Sequence, residues 1–186
     1  GIPVVGGLLG SMRRIAIALD TSPDLISGKL EEALEHLLDP VIVEDAPFRE
    51  NVLTGDDIHL RKQLPIPWHN RGDAGPYVTA GLMIGRDPDT GRHNYSYNRL
   101  QITGERKTGI NMNAWRHLAL FYERAEEENE PLPVAVVIGV DPAVEIAAGF
   151  RMEEDEAKLA GAIRGKPLEV CRCSTLDINV PANCFL

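Results

Sequence analysis

Residues 76–105 read PYVTAGLMIGRDPDTGRHNYSYNRLQITGE, and the fold class turns on this stretch. YVTAGLMIG, 77–85, is apolar with β-branched residues and reads as a strand. RDPDTGRH, 86–93, carries proline, glycine and two aspartates and reads as a turn. YNRLQITGE, 97–105, reads as a second strand, which makes the whole a hairpin. The return segment is rich in hydrogen-bonding groups: Asn94, Ser96, Asn98 and Arg99 stand among tyrosines. On an ideal strand Asn94, Ser96 and Asn98 share one face and Arg99 takes the other. A pocket holding both Asn94 and Arg99 therefore requires the strand to bend, or to begin after Ser96.

Working outward, helical and strand patterns are mixed. SGKLEEALEHLLDP places Leu30, Leu34, Leu37 and Leu38 at helical spacing, and Pro40 stops the helix. VIVE, 41–44, is a short strand. LPIPWHNRGDAGPY, 64–77, is expected to be an ordered loop in which the Asp73 side chain caps a turn. MNAWRHLALFYERAEEENE, 112–130, predicts a helix with Trp115, Leu118, Tyr122 and Ala125 on one face. VAVVIGV, 134–140, has the style of a fully buried strand. DPAVEIAAG and EEDEAKLAGAIRG predict two more helices, and LEVCRC alternates as a strand. The fold class is α+β.

Composition excludes several functions. A chain of 186 residues holds one domain, or one and a fraction, and its 44% hydrophobic content marks it as globular. The net charge of -9, without a basic cluster, argues against nucleic acid or an anionic membrane as partner. No apolar run approaches the roughly 18 residues of a membrane span. In GIPVVGGLLGSMRR the basic residues follow the apolar run, the reverse of a signal peptide. Cys171, Cys173 and Cys184, an odd number, fit free thiols in a reducing cytoplasm. The start at Gly1 and the end at VPANCFL read as the cut ends of a longer protein. Gly6-Gly7-Leu8-Leu9-Gly10-Ser11 lacks the lysine of a phosphate loop, and reads as a turn between a strand and a helix.

Asn94, His117 and Glu156 offer a neutral oxygen, a nitrogen and a carboxylate, a mixed set suited to a divalent ion such as manganese. Spacing alone leaves each a plainer role: a turn residue, a helix-surface residue, and one acid of the solvated run EEDE.

Read together, four segments resemble the UbiD family of prenylated-FMN-dependent decarboxylases. They are PVVGGLLGSMRRIAIALD, LPIPWHNRGDAGPYVTAGLMIGRDPDTGRHNYSYNR, PLPVAVVIGVDPAVEIAAG and LAGAIRGKPLEVCRCSTLDINVPAN. The resemblance implies a split β-barrel like that of flavin reductases, with flanking helices. Residues 1–45 are then the remnant of an N-terminal α/β domain. Residues 46–186 are the prenyl-FMN-binding domain, cut before a C-terminal domain. The resemblance implies roles as well. Asn94, His117 and Glu156 are the protein ligands of Mn2+, with K+ as a further ion. Asn94 and Ser96 also hold the cofactor phosphate, Tyr97 and Asn98 lie along the cofactor, and Arg116 stands beside the flavin. Ala148 and Gly149 pass near the phosphate, and Arg99 is the catalytic arginine.

The activity implied is reversible, non-oxidative decarboxylation of an aromatic or α,β-unsaturated carboxylic acid. A flavin prenyltransferase would supply the cofactor. A homo-oligomer or a companion chain is expected to bring missing segments, because the family's acid residues lie beyond Val180-Pro181-Ala182. Two alternatives stand beside this reading: a non-catalytic flavin-binding or assembly subunit, and a split-barrel flavin reductase.

Overall fold

The hairpin exists, but it is bent across two sheets. In the computed structural model, which describes residues 3–186, its outgoing arm is β2 (Tyr77–Val78) followed by β3 (Leu82–Arg86). Its return arm is β4 (His93–Tyr97) followed by β5 (Leu100–Ile102). β3 pairs antiparallel with β4, Leu82 opposite Tyr97 and Gly85 opposite Asn94. β2 pairs antiparallel with β5 in a different sheet, Val78 opposite Leu100. Thr79, Ala80 and Gly81 cross between the sheets on one arm, and Asn98 and Arg99 cross on the other. YVTAGLMIG is thus two strands, not one. Gly81 permits the bend: a Cβ there would lie 2.8 Å from Val78 Cγ1 and 3.3 Å from Val136 Cγ1.

The remaining elements are α1 (Met12–Ala18), α2 (Ile26–Glu35), β1 (Val41–Ile42), α3 (Leu60–Gln63), β6 (Thr108–Ile110), α4 (His117–Glu127), β7 (Val134–Val137), α5 (Pro142–Ala147), α6 (Glu156–Arg164), β8 (Glu169–Arg172) and β9 (Asn179–Pro181). They complete three three-stranded sheets, ordered β1-β8-β9, β2-β5-β6 and β4-β3-β7. The architecture is α+β with small sheets. Among the described residues these sheets do not join into one closed barrel.

Alternation on β3 explains why its sheet is covered on both faces. Leu82 and Ile84 enter the main core with Val144 and Ala147 of α5 and Leu159 and Ile163 of α6. Met83 faces the other way, into a second cluster with Val78, Leu100, Ile102 and Leu118 of α4. Gly85 shares that second face, and α4 comes so close that a Cβ on Gly85 would lie 2.6 Å from Leu118 Cδ1. Burying Leu118 contributes on the order of 2 kcal/mol, and it seats the first turn of α4 on the hairpin.

Several sequence expectations need correction. No strand precedes the Gly6–Ser11 turn among the described residues. The helix predicted over 112–130 begins at His117, with Trp115 outside it and 65% exposed. Its buried face is Leu118, Ala119, Phe121 and Ala125, not Tyr122. β7 alternates half-buried and buried residues instead of being buried throughout, because it has only β3 beside it. The 64–77 loop is ordered as expected: Asp73 Oδ2 accepts from the Asn70 amide at 3.0 Å, and the Tyr77 amide donates to the Pro67 carbonyl at 3.4 Å.

Candidate functional site

Residues directly opposite each other on antiparallel strands share a face. Asn94 opposes Gly85 and Ser96 opposes Met83, so Asn94 and Ser96 point toward the α4 side. Because Gly85 lets α4 approach, His117, the first residue of α4, is carried to the same place. Glu156 arrives from α6. Asp155 caps that helix by accepting from the Ala157 amide at 2.8 Å, which fixes the next residue at the helix start. Glu156 is only 2% exposed. It is not part of a solvated acidic face.

These residues surround one cavity of about 150 Å3, lined by Asn94, Ser96, Arg116, His117, Ala148, Gly149 and Glu156, all expected from the sequence. Tyr95, Trp115, Phe150 and Arg151, which the sequence reading did not name, complete the lining. Tyr97, Asn98 and Arg99 do not line it. Tyr97 donates its hydroxyl to the Glu145 carbonyl at 3.0 Å, and Asn98 Nδ2 donates to Ser96 Oγ at 2.9 Å. Arg99 is exposed at the crossing after β4 and forms no ion pair among the described residues. Two larger hollows, of about 340 and 490 Å3, lie elsewhere, beside the β5–β6 and β8–β9 turns.

The polar core of the cavity is a buried pair. Asn94 Nδ2 donates to Glu156 Oε1 at 2.7 Å, and the Tyr95 amide donates to Oε2 at 2.9 Å. Burial pushes the Glu156 carboxyl up to about 7, against the downward pull of the Tyr95 amide. Burial also lowers the pKa of His117, and the Arg92 guanidinium adds to the effect. A neutral imidazole is the form that ligates metal. Asn94 Oδ1 is buried with no hydrogen-bond partner among the described residues. Such an atom is costly unless something else meets it.

That unpaired oxygen is the test of whether a metal fits. An amide oxygen, an imidazole and a carboxylate lining one small cavity form a donor set suited to a divalent ion of the manganese type. No cluster of three His, Cys, Asp or Glu occurs among the described residues; here an amide oxygen completes the set. The cavity is smaller than the roughly 300–1,000 Å3 of a complete ligand pocket. Arg116 and Arg151, both on its lining and exposed, form no ion pair among the described residues, and so leave two guanidinium groups available to an anion.

The profile of the 3-octaprenyl-4-hydroxybenzoate carboxy-lyase Rift-related domain, UbiD, matches residues 41–185. The chain belongs to the UbiD family. An anhydromevalonate phosphate decarboxylase of Methanothermobacter thermautotrophicus is 34% identical over 183 residues, which are 97% of this chain and 42% of that protein. The UbiD-class enzyme HmfF from Pelotomaculum thermopropionicum, solved in complex with FMN, superposes with a TM-score of 0.92 at 41% identity, over 98% of this chain and 42% of that one. An evolved dimeric form of HmfF in complex with prFMN gives 0.90 and 40%, over 96% and 42%. The chain thus spans 42% of the length of each of these relatives. No helix among the described residues is long and apolar enough to cross a membrane.

Proposed function

We propose that this chain is the phosphate- and metal-holding part of a prenylated-FMN-dependent decarboxylase. Its substrates are aromatic or α,β-unsaturated carboxylic acids, and the reaction is reversible and non-oxidative. The observation that carries this reading is the cavity in which an unpaired Asn94 oxygen meets His117, Glu156 and two free arginines. The FMN and prFMN complexes of a relative at about 40% identity support the choice of cofactor.

In this reading Asn94, His117 and Glu156 hold Mn2+, with K+ as an additional ion, and the bound cation neutralises the cofactor phosphate. Ser96, Arg116 and Arg151 donate to the remaining phosphate oxygens, and the Ala148–Gly149 backbone closes that end. Tyr97, the last residue of β4, and Asn98, at the crossing after it, then follow the cofactor. Prenylated FMN, when bound, supplies the electron sink for loss of CO2. Arg99 stands three residues beyond Ser96, at the crossing after β4, and would face the substrate end of the site. Its guanidinium holds the substrate carboxylate through two parallel hydrogen bonds and tunes the acid that returns a proton to carbon.

The bent hairpin and its two sheets are read as a split β-barrel. Residues 1–45 are read as the end of a preceding domain, and 46–186 as the cofactor-binding domain. A flavin prenyltransferase supplies the cofactor. Further segments, or a companion chain in an oligomer, bring the acid residues. A cytoplasmic location suits the three free cysteines.

Titration of the chain with FMN, with and without Mn2+, tests the reading. Mn2+ should tighten FMN binding at least tenfold, and Asn94→Ala should abolish that gain. FMN binding indifferent to Mn2+ would overturn it.

A further inference from the structure

β4 is pinned to the start of α6 at three successive residues. Asn94 and Tyr95 bond Glu156, as described. The residue before them, His93, is mostly buried and meets Asp155: His93 Nδ1 lies 3.5 Å from Asp155 Oδ2. The other ring nitrogen of His93, Nε2, accepts from the Asn179 amide of β9 at 3.1 Å. A nitrogen that accepts carries no proton, so the proton of the neutral ring sits on Nδ1, the nitrogen nearer the Asp155 carboxylate. Asp155 is doubly used, because its other oxygen caps α6 through the Ala157 amide. Arg86, opposite His93 on β3, pairs with Asp177 just before β9 and strengthens the same junction. One imidazole therefore joins a strand of each of two sheets to the helix that presents Glu156.

We propose that His93 is a positioning residue for the Asn94–Glu156 pair, holding the first turn of α6 against β4 by bridging the Asn179 amide and the Asp155 carboxylate. The inference rests on the metal-site reading for its consequence, and on geometry alone for its mechanism. A glutamine at 93 offers the same two functions, a carbonyl oxygen for the Asn179 amide and an N–H for Asp155. A leucine offers neither. Asn at 155 keeps the helix cap but turns a donor toward the His93 N–H.

The test compares wild type with His93→Leu, His93→Gln, Asp155→Asn and Glu156→Gln. Amide exchange is followed by NMR without metal, and Mn2+ binding by the EPR signal of the free ion. His93→Leu and Asp155→Asn should speed exchange at Tyr95 and Ala157 at least tenfold relative to amides of β8. They should also weaken Mn2+ binding about ten- to hundredfold, the usual consequence of losing a group that orients a ligand. His93→Gln should restore both. Unchanged exchange in His93→Leu, or a loss as large in His93→Gln, would overturn the inference. A wild type that binds no Mn2+ would overturn the metal-site reading instead, with the exchange results still deciding the role of His93. Mn2+ binding lost in Glu156→Gln yet unchanged in His93→Leu would leave the site standing and remove His93 from it.

Discussion

Glu156→Gln should stabilise the metal-free protein while destroying its metal site. The carboxyl is buried and pushed from its ordinary 4.5 to about 7. At ~1.36 kcal/mol per pH unit, ionising it inside the fold costs about 3 kcal/mol. The sign follows from linkage. The folded value lies above the unfolded one, so this acid's stabilising contribution is whole below pH 4.5, and is lost as pH rises toward 7. Glutamine never ionises. Its oxygen can accept from the Tyr95 amide, and its NH2 can donate to Asn94 Oδ1 once that side chain turns over, which keeps the pair bonded and, as in wild type, leaves one buried Asn94 atom without a partner. In EDTA the variant should match wild type near pH 4.5 and exceed it by about 3 kcal/mol at pH 8. For a chain of this size that is roughly 6–12 °C in Tm. Thermal unfolding at the two pH values, with EDTA and then with Mn2+, gives the answer. Added Mn2+ should raise the Tm of wild type and leave the variant unmoved. A variant less stable than wild type at pH 8 in EDTA would refute the reasoning, because Glu156 would then be a structural acid and not a ligand kept at a cost.

Gly85→Ala should cost about 1–3 kcal/mol through overpacking, because the new methyl meets Leu118 Cδ1 at 2.6 Å; urea unfolding reads it. The same shift displaces His117, so Mn2+ affinity should fall further than in a surface variant of equal stability. Arg99→Ala, made in a complete enzyme, should keep flavin and metal content while turnover drops about a hundredfold or more. Undiminished turnover would leave this domain a cofactor holder only. His117→Ala should lose Mn2+ binding with little change in Tm without metal, since the ring's one polar contact among the described residues is with Glu153 at 4.0 Å.

The α+β class and most elements were legible because alternation and helical spacing survive in the strings themselves. The hairpin turn at 86–93 carries its own chemistry, and Asp141-Pro142 opens α5, whereas α2 ends at Glu35, before Leu37, Leu38 and the Pro40 expected to stop it. The bend was legible only as a parity conflict between Asn94 and Arg99. Its physical origin, the crossings at 79–81 and 98–99, depends on which strand each half finds. Trp115 was misassigned because its spacing to Leu118 is helical, yet α4 starts two residues after it. Glu156 in EEDE looks like any solvated acid, and only the cap at Asp155 and the strand beside it reveal burial. Asn94, His117 and Glu156 were readable by spacing only as an open possibility for ligands; resemblance to the family singled them out as candidates. Tyr95 and His93 act through partners 61 and 86 residues away in sequence, Glu156 and Asn179. No local pattern signals those.

The central claim is that Asn94, His117 and Glu156 hold a divalent ion against a flavin phosphate. Anomalous diffraction at the manganese edge, from crystals grown with FMN and Mn2+, tests it most directly. The account predicts one strong peak in the cavity, with Asn94 Oδ1, a ring nitrogen of His117, a Glu156 oxygen and a phosphate oxygen all within about 2.5 Å. A peak bound by other residues, or FMN seated there with no metal, would contradict it.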